Sequence, residues 1–190
     1  MTNPLAPISS GYLTTEPTAI ILKEKKGIIG SDDAATINDK DGNLLFEISK
    51  NLVSMSQSRK LKDASGNVVG VMRERKTPGL HATWYIGTEA NEKAVFLKKK
   101  GLMNPMKCDA GIIIDGTEVG EATGNWRAKT FEITIGGNKV ATIGRESSLS
   151  INAMLFDADS YCIDVLVPGV DLAFVSLICA GLDELYHDDD

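Results

Sequence analysis

The sequence predicts a mainly β fold, a closed antiparallel β-barrel of about twelve strands that encloses one hydrophobic C-terminal α-helix. Between Thr18 and Val167, short runs of alternating or β-branched residues are separated by turn residues, a pattern typical of antiparallel sheet. Residues 172–182 carry no charge and are interrupted only by Ser176 and Gly181. A helix that is apolar around its whole circumference must be surrounded by protein. Strands that close around such a helix also leave no exposed sheet edge.

The predicted strands follow one another at the short spacing of consecutive hairpins. Their boundaries are set by the change from alternating residues to turn residues. We predict strands over Ala19–Lys23, Ala35–Asn38, Leu44–Ser49, Ser56–Lys62, Val68–Arg73, His81–Ile86, Ala94–Lys99, Ala110–Ile114, Glu118–Ala122, Thr130–Ile135, Lys139–Ile143, Ile151–Phe156 and Tyr161–Val167.

Turn residues between these runs explain how the hairpins close. Dipeptides such as Asp115-Gly116 favour the positive φ angles of tight hairpin turns. The segment 39–45 returns as 63–69, with aspartate, glycine and asparagine at the same offsets. The first copy resembles the start of a calcium-binding loop, but Lys50 occupies the twelfth position, where that loop requires an acidic ligand. We therefore interpret both copies as hairpin turns.

One domain is expected, with the C-terminal helix at its centre. Asp171 suits a helix N-terminus, and the helix is expected over about residues 170–186. Its uncharged part would be roughly 16 Å long, well short of the ~30 Å hydrocarbon core of a bilayer, so no transmembrane span is predicted. We interpret residues 1–17 as an irregular lead-in, 18–186 as the barrel domain and 187–190 as an acidic tail.

Composition and charge exclude several classes of function. The 190 residues include 20 basic and 26 acidic side chains, a net charge of −6 that disfavours a nucleic-acid partner. His81 and His187 lack the neighbours of a catalytic or zinc signature, and nothing basic flanks Cys162 to lower its pKa. We expect no enzymatic activity and no cofactor. Three cysteines without a CxxC motif, and an N-terminus without an apolar signal segment, favour the cytoplasm.

Four segments carry a resemblance to a known family. They are Asp39-x-x-Gly42-Asn43-Leu44-Leu45-Phe46, Leu61-x-Asp63-x-x-Gly66-Asn67-Val68-Val69, His81-x-x-Trp84, and Pro168-Gly169-Val170-Asp171 before Leu182-Asp183-Glu184. With them the chain resembles the LURP-one-related family over nearly its whole length, and residues 5–8 and 22–25 resemble its fungal members. That family is similar to tubby C-terminal-like proteins and phospholipid scramblases, which implies a twelve-stranded barrel around a hydrophobic helix. Tubby domains bind phosphoinositides through basic residues, but the resemblance assigns no such residue here.

Basic residues concentrate in the first part of the chain. Residues 1–107 hold 16 lysines and arginines against 11 acidic residues, whereas residues 108–190 hold 4 against 15. Such clusters suit an anionic membrane surface, although strand alternation divides each cluster between two faces. Two interpretations remain open, either solvated outward side chains or a surface that binds phosphoinositide or other anionic lipid. The candidate lipid-binding residues are Arg73, Arg75, Lys98, Lys99 and Lys100.

A second candidate site lies directly before the helix. Asp157, Asp159 and Asp164 resemble the calcium segment of scramblases, but Pro168 stands where that segment has a further aspartate. We interpret residues 157–160 as a plain hairpin turn and expect no metal site. The function expected is a non-enzymatic, tubby-like binding or adaptor module at a membrane surface, with anionic head groups and an unidentified protein as partners. The alternative is a scramblase-like, calcium-sensitive protein that handles lipid.

Overall fold

Twelve strands and one helix make up the described part of the chain. A computed structural model describes residues 3–24, 33–50, 58–75, 83–100, 108–125, 130–145, 147, 149 and 160–187. The strands are β1 Thr18–Glu24, β2 Asp33–Asp39, β3 Leu44–Lys50, β4 Ser58–Asp63, β5 Val68–Arg75, β6 Thr83–Gly87, β7 Val95–Lys99, β8 Cys108–Ile114, β9 Thr117–Asn125, β10 Thr130–Ile135, β11 Asn138–Gly144 and β12 Ser160–Val165. The helix, α1, is Leu172–His187.

The strands form one closed barrel in chain order. Each strand pairs antiparallel with the next, and β12 closes on β1, where Cys162 lies opposite Ile21. Tight turns account for the pairs β2–β3, β4–β5, β8–β9 and β10–β11, because a tight turn can join only antiparallel neighbours. The predicted fold class is confirmed. The predicted strand over residues 151–156 lies outside the described residues, as do the beginnings of those over 56–62 and 81–86.

The two copies of the repeated segment fold into the same hairpin turn. Asp39 Oδ1 accepts the backbone N–H of Asn43 at 2.8 Å, and Asp63 Oδ1 accepts that of Asn67 at 2.9 Å. Each asparagine side chain also donates to the second oxygen of its aspartate, at 2.8 and 3.0 Å. Hydrogen bonds from Asn67 hold the pKa of Asp63 below its usual range. Both aspartates therefore close hairpins, as interpreted from the sequence.

The helix α1 fills the barrel and touches its wall closely. Phe174 and Leu177 have no exposed surface. A Cβ atom at Gly70 of β5 would lie 2.7 Å from Leu177 Cδ1, and one at Gly181 of α1 would lie 2.9 Å from Leu97 Cδ2. Glycine at these two positions therefore lets the strands and the helix approach each other. The helix packs mainly against β5 and β6.

Asp171 begins the helix and also holds the N-terminal lead-in. Its Oδ1 accepts the backbone N–H of Ala173 at 2.9 Å as an N-cap, and its Oδ2 accepts that of Ser9 at 2.7 Å. Burial raises the pKa of Asp171 to about 6. The lead-in is irregular, yet it lies against the end of the barrel where α1 starts. Three of its side chains pack against the core: Leu5, Ile8 and Tyr12.

Candidate functional site

Three of the five predicted lipid-binding residues lie on one outer face of the barrel. Arg73 and Arg75 alternate with Met72 and Glu74 along β5, so that the two arginines are exposed while Met72 and Glu74 are buried. Lys98 of β7 is also exposed. In the register of the sheet, Thr83 of β6 lies between Arg75 and Lys98. The two basic residues are therefore separated by two strand spacings, ~10 Å.

Tyr85 of β6 organises the basic residues of this face. It lies opposite Arg73 in the sheet and is 8% exposed. Arg75 Nη1 donates to the phenol oxygen at 2.6 Å, and Lys93 Nζ lies 5.5 Å from the ring centroid. An edge contact with Phe96, at 4.5 Å between ring centroids, fixes the ring. Tyr85 thus holds cations beside a rigid aromatic surface, where cation–π attraction stabilises them.

A surface pocket of about 370 Å³ lies among these side chains. Within it, the guanidinium of Arg73 faces the carboxylate of Glu92, with Nη1 to Oε2 and Nη2 to Oε1 both at 3.3 Å. Three cations and two carboxylates line the pocket, which therefore suits an anion. We call the lining residues the cationic pocket: Arg73, Glu74, Arg75, Tyr85, Glu92 and Lys93.

Lys99 and Lys100, the other two predicted residues, lie elsewhere. Lys99 has the opposite strand parity to Lys98, and its Nζ lies 4.8 Å from the ring centroid of Tyr186 on α1. Lys100 pairs with Glu118 and with Glu121, the latter at 3.1 Å, and the hydrogen bond to Glu118 raises its pKa. The three consecutive lysines thus lie in three different environments. Of these three residues, only Lys98 lies on the exposed outer face of β5–β7.

Two residues of the cationic pocket, Tyr85 and Lys93, were not predicted from the sequence. Tyr85 points outward because its neighbours Trp84 and Ile86 both enter the core. That parity was readable from the sequence. What the sequence does not contain is the register that sets Tyr85 opposite Arg73 and brings Lys93, in the loop after β6, over the ring.

Among the predicted calcium candidates, Asp164 is described, whereas Asp157 and Asp159 lie outside the described residues. Asp164 is 2% exposed and accepts hydrogen bonds from Ser147 Oγ and, at 3.2 Å, from Cys162 Sγ. Among the described side chains, no three His, Cys, Asp or Glu residues lie close enough together to hold a metal ion. Asp164 therefore serves the packing of the outer side of β12.

Cys162 is poorly suited to nucleophilic chemistry. It is 1% exposed, and burial raises its pKa to about 12. Because the thiolate is the reactive form, such a thiol is inert near neutral pH. His81, the other residue considered for chemistry, lies outside the described residues.

The end of α1 is anchored to the barrel wall. Arg59 of β4 forms an ion pair with Glu184, and the phenol of Tyr161 on β12 donates to Asp183 Oδ1 at 3.0 Å. With the cap at Asp171, these contacts fix the helix at both ends.

Within the described ranges, no helix combines the length and the apolar character that a membrane span requires.

A second, larger groove of about 710 Å³ is lined by residues of strands β8–β11. In the sheet register, Asp109 lies opposite Thr123, which lies opposite Glu132, which lies opposite Thr142. Carboxylates and hydroxyls line this groove, in contrast to the cationic pocket. The outer surface is therefore divided in charge, as the two parts of the sequence are.

The fold and the pocket define a closed antiparallel barrel, built around its own C-terminal helix, with a cationic surface pocket. The family model described as LURP-one-related matches residues 18–183, and the chain belongs to this family. It is similar to two Arabidopsis thaliana proteins. Protein LURP-one-related 10 is 23% identical over 168 residues, covering 84% of this chain and 86% of the relative. Protein LURP-one-related 15 is 22% identical over 167 residues, covering 84% and 76%.

A solved structure shows the same fold. The X-ray structure of an Arabidopsis thaliana protein matches with a TM-score of 0.66 at 17% identity, covering 97% of this chain and 99% of that one. The LURP-one-related membership inferred from the sequence motifs is confirmed by the family match, whereas the similarity of residues 5–8 and 22–25 to fungal members stays a prediction.

Proposed function

We propose that this chain is a non-enzymatic binding module that docks on an anionic membrane surface through the cationic pocket. The observation that carries the proposal is the arrangement of Arg73, Arg75 and Lys93 around the nearly buried ring of Tyr85. The pocket volume of about 370 Å³ is that of a small ligand site and has room for one phosphate-bearing head group. A phosphoinositide or another anionic lipid would supply that group.

The overall charge of −6 does not oppose this role, because the charges are separated on the barrel. Glu132 lies on β10, away from β5–β7, whereas Glu118 and Glu121 of β9 are paired with Lys100 just after β7. Each basic residue near an anionic leaflet contributes about 1 kcal/mol, and the attraction decays within a Debye length of ~8 Å. Arg73, Arg75, Lys93 and Lys98 exceed the two carboxylates of the cationic pocket, Glu74 and Glu92, by two charges. This excess would contribute about 2 kcal/mol before any specific head-group contact.

The proposal includes a binding role without catalysis. The thiol of Cys162 supports it, because this thiol is buried and has a raised pKa, which suits it poorly to nucleophilic attack. A module of this kind would sit in the cytoplasm, peripheral to a membrane. Its acidic side, around Asp109 and Glu132, would then face away from the lipid and remain accessible to a protein partner.

The scramblase-like alternative requires α1 to leave the barrel for a bilayer. Such a movement would break the N-cap at Asp171 and the contacts of Asp183 and Glu184, and would expose the fully buried Phe174. These contacts favour the binding module over the alternative.

Vesicle co-sedimentation tests the proposal. Phosphatidylcholine vesicles that contain a phosphoinositide are mixed with the wild-type chain and with the triple variant Arg73→Gln, Arg75→Gln, Lys93→Gln. A control variant removes three other exposed charges, at Lys40, Lys139 and Arg145. We expect the pocket variant to lose about 150-fold in affinity, since three residues at about 1 kcal/mol each contribute about 3 kcal/mol. Equal losses in the pocket and control variants would contradict the proposal.

A further inference from the structure

The loop between β6 and β7 carries two carboxylates that engage cations on the outer face of the barrel. Glu92 faces Arg73 through two parallel contacts of 3.3 Å, the fork-to-fork geometry with which arginine also binds phosphate. Glu89 Oε1 lies 2.7 Å from Nζ of Lys60, and Lys60 of β4 lies opposite Val71 of β5. Within the cationic pocket, Glu92 therefore occupies the place that a ligand anion would take on Arg73.

This loop has a defined conformation. Thr88 and Asn91 exchange backbone hydrogen bonds of 3.0 and 3.1 Å, and the Thr88 hydroxyl accepts the N–H of Asn91 at 3.1 Å. A Cβ atom at Gly87 would lie 1.9 Å from the carbonyl oxygen of Asn91, so the loop can fold back only over a glycine. The backbone conformation of this loop thus places Glu92 beside Arg73.

We propose that Glu92 competes with the bound anion for Arg73 and thereby selects head groups that carry a phosphomonoester. This inference rests on the proposed function of the pocket. A carboxylate and the phosphodiester of an ordinary anionic lipid each carry one negative charge, so their exchange on Arg73 gains little. A phosphomonoester carries about −1.5 to −2 at neutral pH and offers three acceptor oxygens, so it displaces Glu92 favourably.

The pair of Arg73 and Glu92 is open enough to exchange. Their side chains are 47% and 40% exposed, so solvent and lipid reach both groups. Exposed ion pairs of this kind are weak. Removing the carboxylate should therefore change affinity by a few-fold rather than by orders of magnitude.

The chain offers a closely matched control for Glu92. Glu132 of β10 pairs with Lys139 of β11, with exposures of 42% and 47%, on a different part of the barrel. Glu92→Gln and Glu132→Gln each remove one negative charge and release one cation. Only the first change releases a cation of the cationic pocket.

The experiment measures binding of the full chain to two kinds of phosphatidylcholine vesicle. One contains phosphatidic acid, a phosphomonoester, and the other contains enough phosphatidylglycerol, a phosphodiester, to reach the same zeta potential. We expect the wild-type chain to prefer phosphatidic acid by at least about threefold. Glu92→Gln should raise affinity for phosphatidylglycerol by about threefold and so reduce that preference, whereas Glu132→Gln should raise both affinities equally and by less than about 1.5-fold.

The outcomes separate this inference from the proposed function. If the triple pocket variant loses binding while Glu92→Gln behaves like Glu132→Gln, the selection by Glu92 is wrong and the binding role stands. If the triple variant binds like the wild type, both are wrong. Glycerol 3-phosphate, added as a soluble competitor, distinguishes a lipid head group from a free phosphate as the ligand. If it releases the chain from the vesicles at a concentration equal to that of the phosphatidic acid, the assignment to a lipid head group is wrong.

Discussion

Replacing Phe174 by alanine tests the central position of α1. Phe174 is fully buried inside the barrel, and loss of a core phenylalanine costs about 3–5 kcal/mol. The barrel has little room to contract, because Gly70 and Gly181 already bring the wall into contact with the helix. The cavity left by the ring should therefore persist, which favours the upper part of that range, about 4–5 kcal/mol. This is a large share of a total stability of ~5–15 kcal/mol.

Urea denaturation, followed by circular dichroism, measures this loss. The midpoint should fall while the slope of the transition stays unchanged, as in a loss of native stability alone. Leu172→Ala is the control, since Leu172 begins the same helix but is only partly buried. A loss below about 1 kcal/mol for Phe174→Ala, or one no larger than that of the control, would refute the reasoning about how α1 is buried.

Three further predictions concern titrating and ligand-binding groups. Burial raises the pKa of Asp171 from 3.8 to about 6, so this group contributes stability that is fully present below pH 3.8 and is lost as the pH rises through 6. In urea melts, the free energy of unfolding of the wild type relative to Asp171→Asn should therefore rise by up to about 3 kcal/mol from pH 7 to pH 4. A difference between the two proteins that does not change with pH would contradict this. Calorimetric titration with calcium should show no binding tighter than millimolar, either for the wild type or for the double variant Asp157→Asn, Asp159→Asn. The reason is that the carboxylate of Asp164 is buried and already hydrogen-bonded. A micromolar site that is lost in the double variant would restore the calcium interpretation. In a Cys108→Ser, Cys179→Ser background, Cys162 should react with a thiol reagent at pH 8 only as the protein unfolds. Rapid labelling of the native state would show that its burial is misassigned.

Most of the fold could be predicted because its determinants are local. Turn residues such as Asp63 and Gly66 close a hairpin with hydrogen bonds made within five residues, and period-two burial fixes which side chains enter the barrel. The uncharged stretch that contains Phe174 then requires a surrounding wall. The packing of the lead-in was not predicted, because Tyr12 meets Phe46 and Asp63 through contacts that join distant parts of the sequence.

The candidate site was predicted only in part, for a related reason. Arg73, Arg75 and Lys98 were identified from their charge. The alternation of side chains along a strand correctly predicted that a run of lysines would be divided between two faces. Charge alone could not show that Lys100 is neutralised by Glu118 and Glu121. Nor could it show that Tyr85 organises the pocket, since that depends on the register between β5 and β6.

The measurement that tests the proposed binding face most directly is paramagnetic broadening in NMR spectra of the full chain with vesicles that carry a spin-labelled anionic head group. If the cationic pocket binds the membrane, the amide signals of Arg73, Arg75 and Tyr85, on the outer face of β5 and β6, should broaden most. The signals of Glu132 and Lys139, on β10 and β11, should remain sharp. Broadening centred on β10 and β11, or spread evenly around the barrel, would contradict the assignment of the cationic pocket as the membrane-binding site.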